Sequence, residues 1–196
     1  MCHDHGSRPP APPRTGDVRE RGVLTLTSAD GAEFSAAYAA PSGRARAGVV
    51  VLPDIRGLHP YYVALAERFA QAGLVAVAID CFGGSHSWRQ SGGSLDLAGC
   101  AGFYGRPSLV GEAATRAHLP TVMLIAGADQ VTPVEDQLRL ADTMRSAGAD
   151  VDAVVYDGAP HSFFDRSSAE WDDACRDAWE HLLALTDRVS EPERRP

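Results

Sequence analysis

No apolar run in this chain approaches the length of a membrane span. Ala47 to Pro53 and Leu74 to Ile79 are among the longest, far short of the roughly 20 residues a bilayer requires. A spanning helix is therefore not expected. A basic stripe is also missing: the net charge is -8, which argues against nucleic acid as a partner. The amino-terminal segment lacks the apolar core of a secretory signal and is polar, with Pro9, Pro10, Pro12 and Pro13, so a cytoplasmic location is expected. The cysteines, at 2, 81, 100 and 175, form no CxxC pair and no dense framework, which excludes a disulfide scaffold and predicts reduced thiols. Cys2, His3 and His5 have no second half-site nearby, so no metal is expected. Internal repeats are absent as well, which excludes a solenoid.

What remains is a chain of 196 residues that is 44% hydrophobic, enough for one well-buried core. Residues 1–20 and 188–196 read as disordered tails around a single domain over 21–187, a monomer or weak homo-oligomer. Val23 to Thr27 and Glu33 to Ala39, separated by Ser28-Ala-Asp-Gly31, predict a hairpin. Ala47 to Pro53 reads as a central parallel strand covered on both faces. Tyr62, Leu65, Ala66, Phe69 and Ala72 recur at helical spacing between Pro60 and Gly73, which supply a start and a stop signal. Leu74 to Ile79, Cys100 to Tyr104, Thr121 to Ala126 and Val151 to Tyr156 read as further strands. Ser85 to Ser91 is a short helix of barely two turns. Val134, Leu138, Ala141 and Met144 mark another helix, and Trp171, Cys175, Ala178, Trp179 and Leu182 the stripe of a long closing one. Strands alternating with helices predict an α/β fold with a mostly parallel central sheet flanked by helices. Its crevice then lies at the carboxyl ends of the strands.

Three polar segments directly follow buried strands: Asp80-Cys-Phe-Gly-Gly84, Gly127-Ala-Asp129 and Gly158-Ala-Pro-His161. They place a nucleophile, a carboxylate and a histidine at strand ends in the chain order α/β-hydrolases use. A thiol is partly ionised near neutral pH, and an imidazole beside it can take its proton. His161 would serve Cys81 in this way, and Asp129 would orient His161. Gly83 and Gly84 let the chain turn sharply into a helix whose amides face a developing oxyanion. Plainer readings stand beside these. Cys81 can be a strand-end loop residue, Asp129 a cap for the helix near Pro133, and His161 a loop histidine. Cys100 and Cys175 read as small buried hydrophobes, and His59, His118 and His181 as surface or packing residues. His86, and a serine mechanism through Ser85 or Ser87, are weaker candidates. Asp54 and Arg56, at the end of the strand from Ala47, are candidates for contact with substrate, Arg56 through attraction to a carboxylate.

Leu52-Pro-Asp-Ile-Arg-Gly-Leu58, Cys81-Phe-Gly-Gly84, Gly102-Phe-Tyr-Gly105, Gly127-Ala-Asp129 and Gly158-Ala-Pro-His-Ser-Phe-Phe164 resemble successive motifs of the dienelactone hydrolase family. The resemblance runs from about residue 21 to 186. It implies a hydrolase of small lactones or esters that needs no metal or other cofactor. Cys81, Asp129 and His161 would be the triad, with an oxyanion hole from the backbone amides of Phe82 and Ile55. Phe163, within the histidine segment, is expected to contact substrate. One departure matters. The family places a helix and a strand between its V-A-x-D pattern and C-F-G-G, whereas Ala76-Val-Ala-Ile-Asp80 runs straight into Cys81. One helix-strand unit is missing, so either Leu74 to Ile79 shifts into the vacated central place and carries Cys81, or the sheet keeps a gap with edges unpaired. The alternative function follows from the same junction: an inactive, shortened α/β-hydrolase-fold protein with a binding role only.

Overall fold

Period-two alternation and a glycine turn build the first part of the fold. In the computed structural model, which describes residues 6–54, 56–80 and 84–190, strand β1 (Val18–Thr27) pairs antiparallel with β2 (Glu33–Pro41). Between them the Gly31 amide donates to the Ser28 carbonyl at 2.9 Å, and Gly31 takes φ +87°, a left-handed value that favours glycine. The hairpin is the one expected, longer at both outer ends. Strand β3 (Gly48–Val51), helix α1 (Pro60–Gln71) and β4 (Val75–Ile79) follow, and the sheet order is β1-β2-β4-β3. The described residues group into two compact units. This sheet belongs to the first, with Phe164–Trp179.

α1 begins as the sequence predicts, at Pro60, with His59 Nδ1 accepting from the Tyr61 amide. It packs on β2 and β4, where Ala36, Ala37, Ala39, Ala76 and Ala78 are buried. Small side chains on the sheet leave room for the larger Leu65 and Phe69 of the helix, also buried, so volume is filled from one side. Phe69 meets Trp179 edge to face at 4.9 Å between ring centres. The Tyr61 hydroxyl donates to the Phe164 carbonyl at 2.9 Å.

β3 departs from expectation. Among the described residues it pairs with β4 alone and ends its sheet, and Val50 is 59% exposed, so there it is an edge strand and not a central strand covered on both faces. An unbroken valine run reads the same in either position, because burial of the second face depends on a neighbour the run does not encode. The segment expected as an amino-terminal tail also differs over residues 6–17. Pro9 and Pro12 are buried, the Arg68 guanidinium donates to the Pro9 carbonyl at 3.3 Å, and the Trp179 indole N–H to the Pro10 carbonyl at 3.2 Å. Cys2, His3 and His5 lie outside the described residues.

The second unit holds helix α2 (Gly84–Gln90), β5 (Cys100–Phe103), α3 (Pro107–Val110), a 3-10 turn (Gly111–Arg116), β6 (Thr121–Ala126), α4 (Val134–Ser146) and β7 (Val151–Tyr156). Helix α5 (Asp172–Ser190) contributes to both units. β5, β6 and β7 form a parallel sheet in that order, and all six residues of central β6 are buried. The core gathers on Trp88, Met123, Ile125, Leu140 and Met144. Trp88 is completely buried, with its indole N–H donating to the Val122 carbonyl at 3.2 Å. Gly102 and Gly105 flank its ring so closely that an added Cβ would fall 2.6 Å and 2.5 Å from it. The spacing of the Gly102-Phe-Tyr-Gly105 motif thus has a steric cause. The fold is α/β with parallel strands flanked by helices, as expected. Its strands pair in two sheets, with β4 held between β2 and β3. Among the described residues, no helix is long and apolar enough to cross a membrane.

Candidate active site

Two adjacent strand ends of the second unit bring Asp129 and His161 together. β6 and β7 are paired in parallel through Ala126 and Tyr156, so the loops leaving them start side by side. The Gly127 amide donates to the Tyr156 carbonyl at 2.9 Å, and the Ala128 amide to the Ala159 carbonyl at 2.8 Å. A Cβ on Gly127 would sit 2.5 Å from the Tyr156 oxygen, so only glycine fits there. The carbonyl of Tyr156 also accepts from the Ala159 amide at 3.0 Å, closing the turn at Gly158, whose φ is +72°.

The Asp129 side chain, fully buried, accepts through both oxygens. Oδ1 takes the Val131 amide at 2.7 Å and the Thr132 amide at 3.2 Å. The His161 ring donates from Nδ1 to Oδ2 at 2.9 Å, and the His161 side chain is 25% exposed. Since a carboxylate only accepts, this contact assigns the proton to Nδ1 and directs Nε2 toward other chemistry. The two oxygens of Asp129 are divided between two partners: Oδ1 caps the turn 129–132, with helix α4 itself beginning after Pro133, and Oδ2 meets the His161 ring.

Tyr104 and Phe163 complete the setting of the histidine. The Tyr104 ring lies 4.6 Å from the His161 ring, centre to centre. The backbone is strained on both sides of that contact, with φ +34° at Tyr104, after β5, and +79° at Ser162, in the loop after β7. Non-glycine residues hold such values only where the surroundings over-determine them, and such positions cluster at functional sites. Phe163 corrects an expectation: it is completely buried among Phe103, Tyr104 and Tyr156. It therefore supports the loop from beneath and offers no surface to a substrate. Tyr104 went unnoticed as a site residue, since its motif carried only the family resemblance.

The first unit positions Asp54 and Arg56 in the loop after β3. Asp54 Oδ1 accepts from the Arg56 amide at 2.9 Å, and Arg56 Nε stands 3.6 Å from Asp54 Oδ2. Arg56 Nε and Nη2 are buried and have no hydrogen-bond partner among the described residues. Asp80 clamps the same loop. Its Oδ1 accepts from the Leu58 amide at 3.1 Å and lies where a Cβ on Gly57 would stand, at 1.9 Å. Cys81, Phe82 and Ile55 lie outside the described residues. Ser85 is engaged elsewhere, its hydroxyl accepting from the Arg106 amide at 2.8 Å. Cys100 and Cys175 are buried as expected. Burial pushes the Cys100 thiol up to about 11. Burial, with the Asp172 and Asp165 charges, pushes that of Cys175 up to about 12. Neither thiol has the exposure or the ionisation of a nucleophile.

A carboxylate and a histidine at neighbouring strand ends of a parallel, helix-flanked sheet mark the α/β-hydrolase class. Within that class the chain belongs to the dienelactone hydrolase family, which it matches over residues 81–190. It is 27% identical over 115 residues to a Salmonella typhi protein named "Putative carboxymethylenebutenolidase", a match covering 53% of this chain and 42% of that protein. The chain thus spans less than half the length of this curated relative. Among solved structures it resembles a Klebsiella pneumoniae protein titled "Putative Dienelactone Hydrolase", with a TM-score of 0.70 at 17% identity, over 86% of this chain and 99% of the other. It also resembles a dienelactone hydrolase-like promiscuous phosphotriesterase from metagenomic libraries, with a TM-score of 0.68 at 17% identity, over 86% and 98% of the two chains.

Proposed function

We propose that this protein hydrolyses a small lactone or carboxylic ester by a Cys81-His161-Asp129 triad, in the manner of a carboxymethylenebutenolidase. The observation that carries the reading is the buried Asp129 carboxylate holding His161 by Nδ1 at 2.9 Å, in a member of the dienelactone hydrolase family. His161 takes the proton of the Cys81 thiol, and the sulfur attacks the carbonyl carbon. The oxyanion is received by the backbone amides of Phe82 and Ile55. Collapse expels the alcohol oxygen, protonated by His161, and leaves an acyl-enzyme. Water, deprotonated by His161, then releases the acid and restores the thiol. Asp129 orients the ring throughout. Arg56, whose buried Nε and Nη2 have no hydrogen-bond partner among the described residues, suits recognition of a carboxylate on the substrate beside Asp54. A reducing, cytoplasmic setting fits a thiol nucleophile, and a monomer or weak homo-oligomer fits a small-molecule substrate.

The pairing of strands in two sheets favours the second reading, an inactive shortened domain that only binds. Hydrolysis of a p-nitrophenyl ester and of a dienelactone by the purified protein separates them. Activity is expected, and Cys81→Ala and His161→Ala should each remove it. Activity surviving both substitutions overturns the triad, and a folded parent without activity supports the binding-only domain.

A further inference from the structure

Gln137 lies on α4, five residues beyond Thr132, and its side chain is completely buried. Its Nε2 donates to the Thr132 carbonyl at 3.3 Å. Thr132 in turn donates its own amide to Asp129 Oδ1 at 3.2 Å, and Asp129 Oδ2 receives the His161 ring. Three hydrogen bonds therefore link a helix side chain to the imidazole by way of Thr132 and Asp129. Gln137 Oε1 is buried and accepts nothing among the described residues. A buried amide that leaves its acceptor unmet bears a desolvation cost, which an apolar side chain of the same volume would avoid. Core filling alone does not explain a glutamine here.

We propose that Gln137 is a positioning residue for the hydrolytic reaction, holding loop 129–132 so that the Asp129 carboxylate keeps His161 in its working orientation. The inference rests on the triad reading above and extends it to a residue outside the triad. Val131 and Thr132 supply the two amides that hold Oδ1, and Gln137 fixes the far side of that loop. Without it the loop can rotate by a fraction of an ångström, and the carboxylate with it. Misplacement on that scale reduces turnover while leaving substrate affinity in place.

Gln137→Met keeps the volume and removes the donor. In a variant that folds as the parent does, kcat for the p-nitrophenyl ester should fall roughly tenfold with KM nearly unchanged. The low-field proton resonance of the His161 Nδ1–H should broaden through faster exchange with water. A folded Met variant with parental kcat and a parental resonance overturns the proposal. Gln137→Glu covers the case in which the Met variant does not fold. Its carboxyl donates to the Thr132 carbonyl only while protonated, and burial raises its titration point. Its turnover should approach the parent's at low pH and fall, with circular dichroism unchanged, as the carboxyl ionises. A Glu variant whose turnover follows the parent's pH profile throughout also overturns the proposal. If Cys81→Ala proves as active as the parent, the triad reading fails. The ring-proton comparison, which needs no turnover, still decides whether Gln137 holds His161.

Discussion

At the scale of single residues, several motif positions follow from one steric demand each. Gly102 and Gly105 exist for Trp88, Gly127 for the Tyr156 carbonyl and Gly57 for the Asp80 carboxylate. Gly102→Ala should therefore cost about 1–3 kcal/mol through overpacking against the indole, seen as a lower urea midpoint with an unchanged slope. Gly43→Ala, where an added Cβ meets nothing within 4 Å, should leave the midpoint almost unmoved and serves as the control. Asp129 and His161 were legible from sequence because both follow buried strands, so topology alone brings their loops together. The division of labour between the two oxygens of Asp129 was not, since nothing in Gly127-Ala-Asp129 says which amides will face which lone pair. Phe163 misled for a related reason: an aromatic beside a histidine reads equally well as substrate contact or as packing, and only its ring neighbours decide.

Elements were easiest to read where the signal was local. The hairpin declared itself through Gly31, α1 through Pro60 and Gly73, and β6 through an unbroken apolar run that is buried at every position. What escaped was set by distant partners. The edge position of β3 depends on which strand pairs with Val49 to Val51, and the burial of Pro9 and Pro12 depends on α1 and α5 supplying donors to their neighbourhood. The link between α1 and the segment after the histidine loop is of this kind. The Tyr61 hydroxyl on the helix binds the Phe164 carbonyl, 103 residues away. Tyr61→Phe should destabilise the fold by roughly 0.5–1.5 kcal/mol, because it removes a buried hydrogen bond, and thermal unfolding will show it as a lower midpoint.

For the molecule as a whole, the buried thiols set a limit on alkaline stability. Cys100 and Cys175 are held at about 11 and about 12 when folded, against 9.0 as the ordinary value. Above pH 9.0 the unfolded chain releases these protons first and so binds fewer than the folded one. The stability they contribute is complete below that point and is lost as pH rises toward about 12. All 18 Lys and Arg residues are arginine, so no lysine titrates in the same window. Urea midpoints followed from neutral pH to about pH 11 should fall, and should fall less steeply in Cys100→Ala and Cys175→Ala. Asp80 reaches across the first unit in a different way. Its carboxylate is tied to the Leu58 amide, while its own carbonyl carbon is bonded to residue 81. A shift of the Asp80 backbone at the end of β4 is therefore passed to the loop bearing Arg56 through a single side chain.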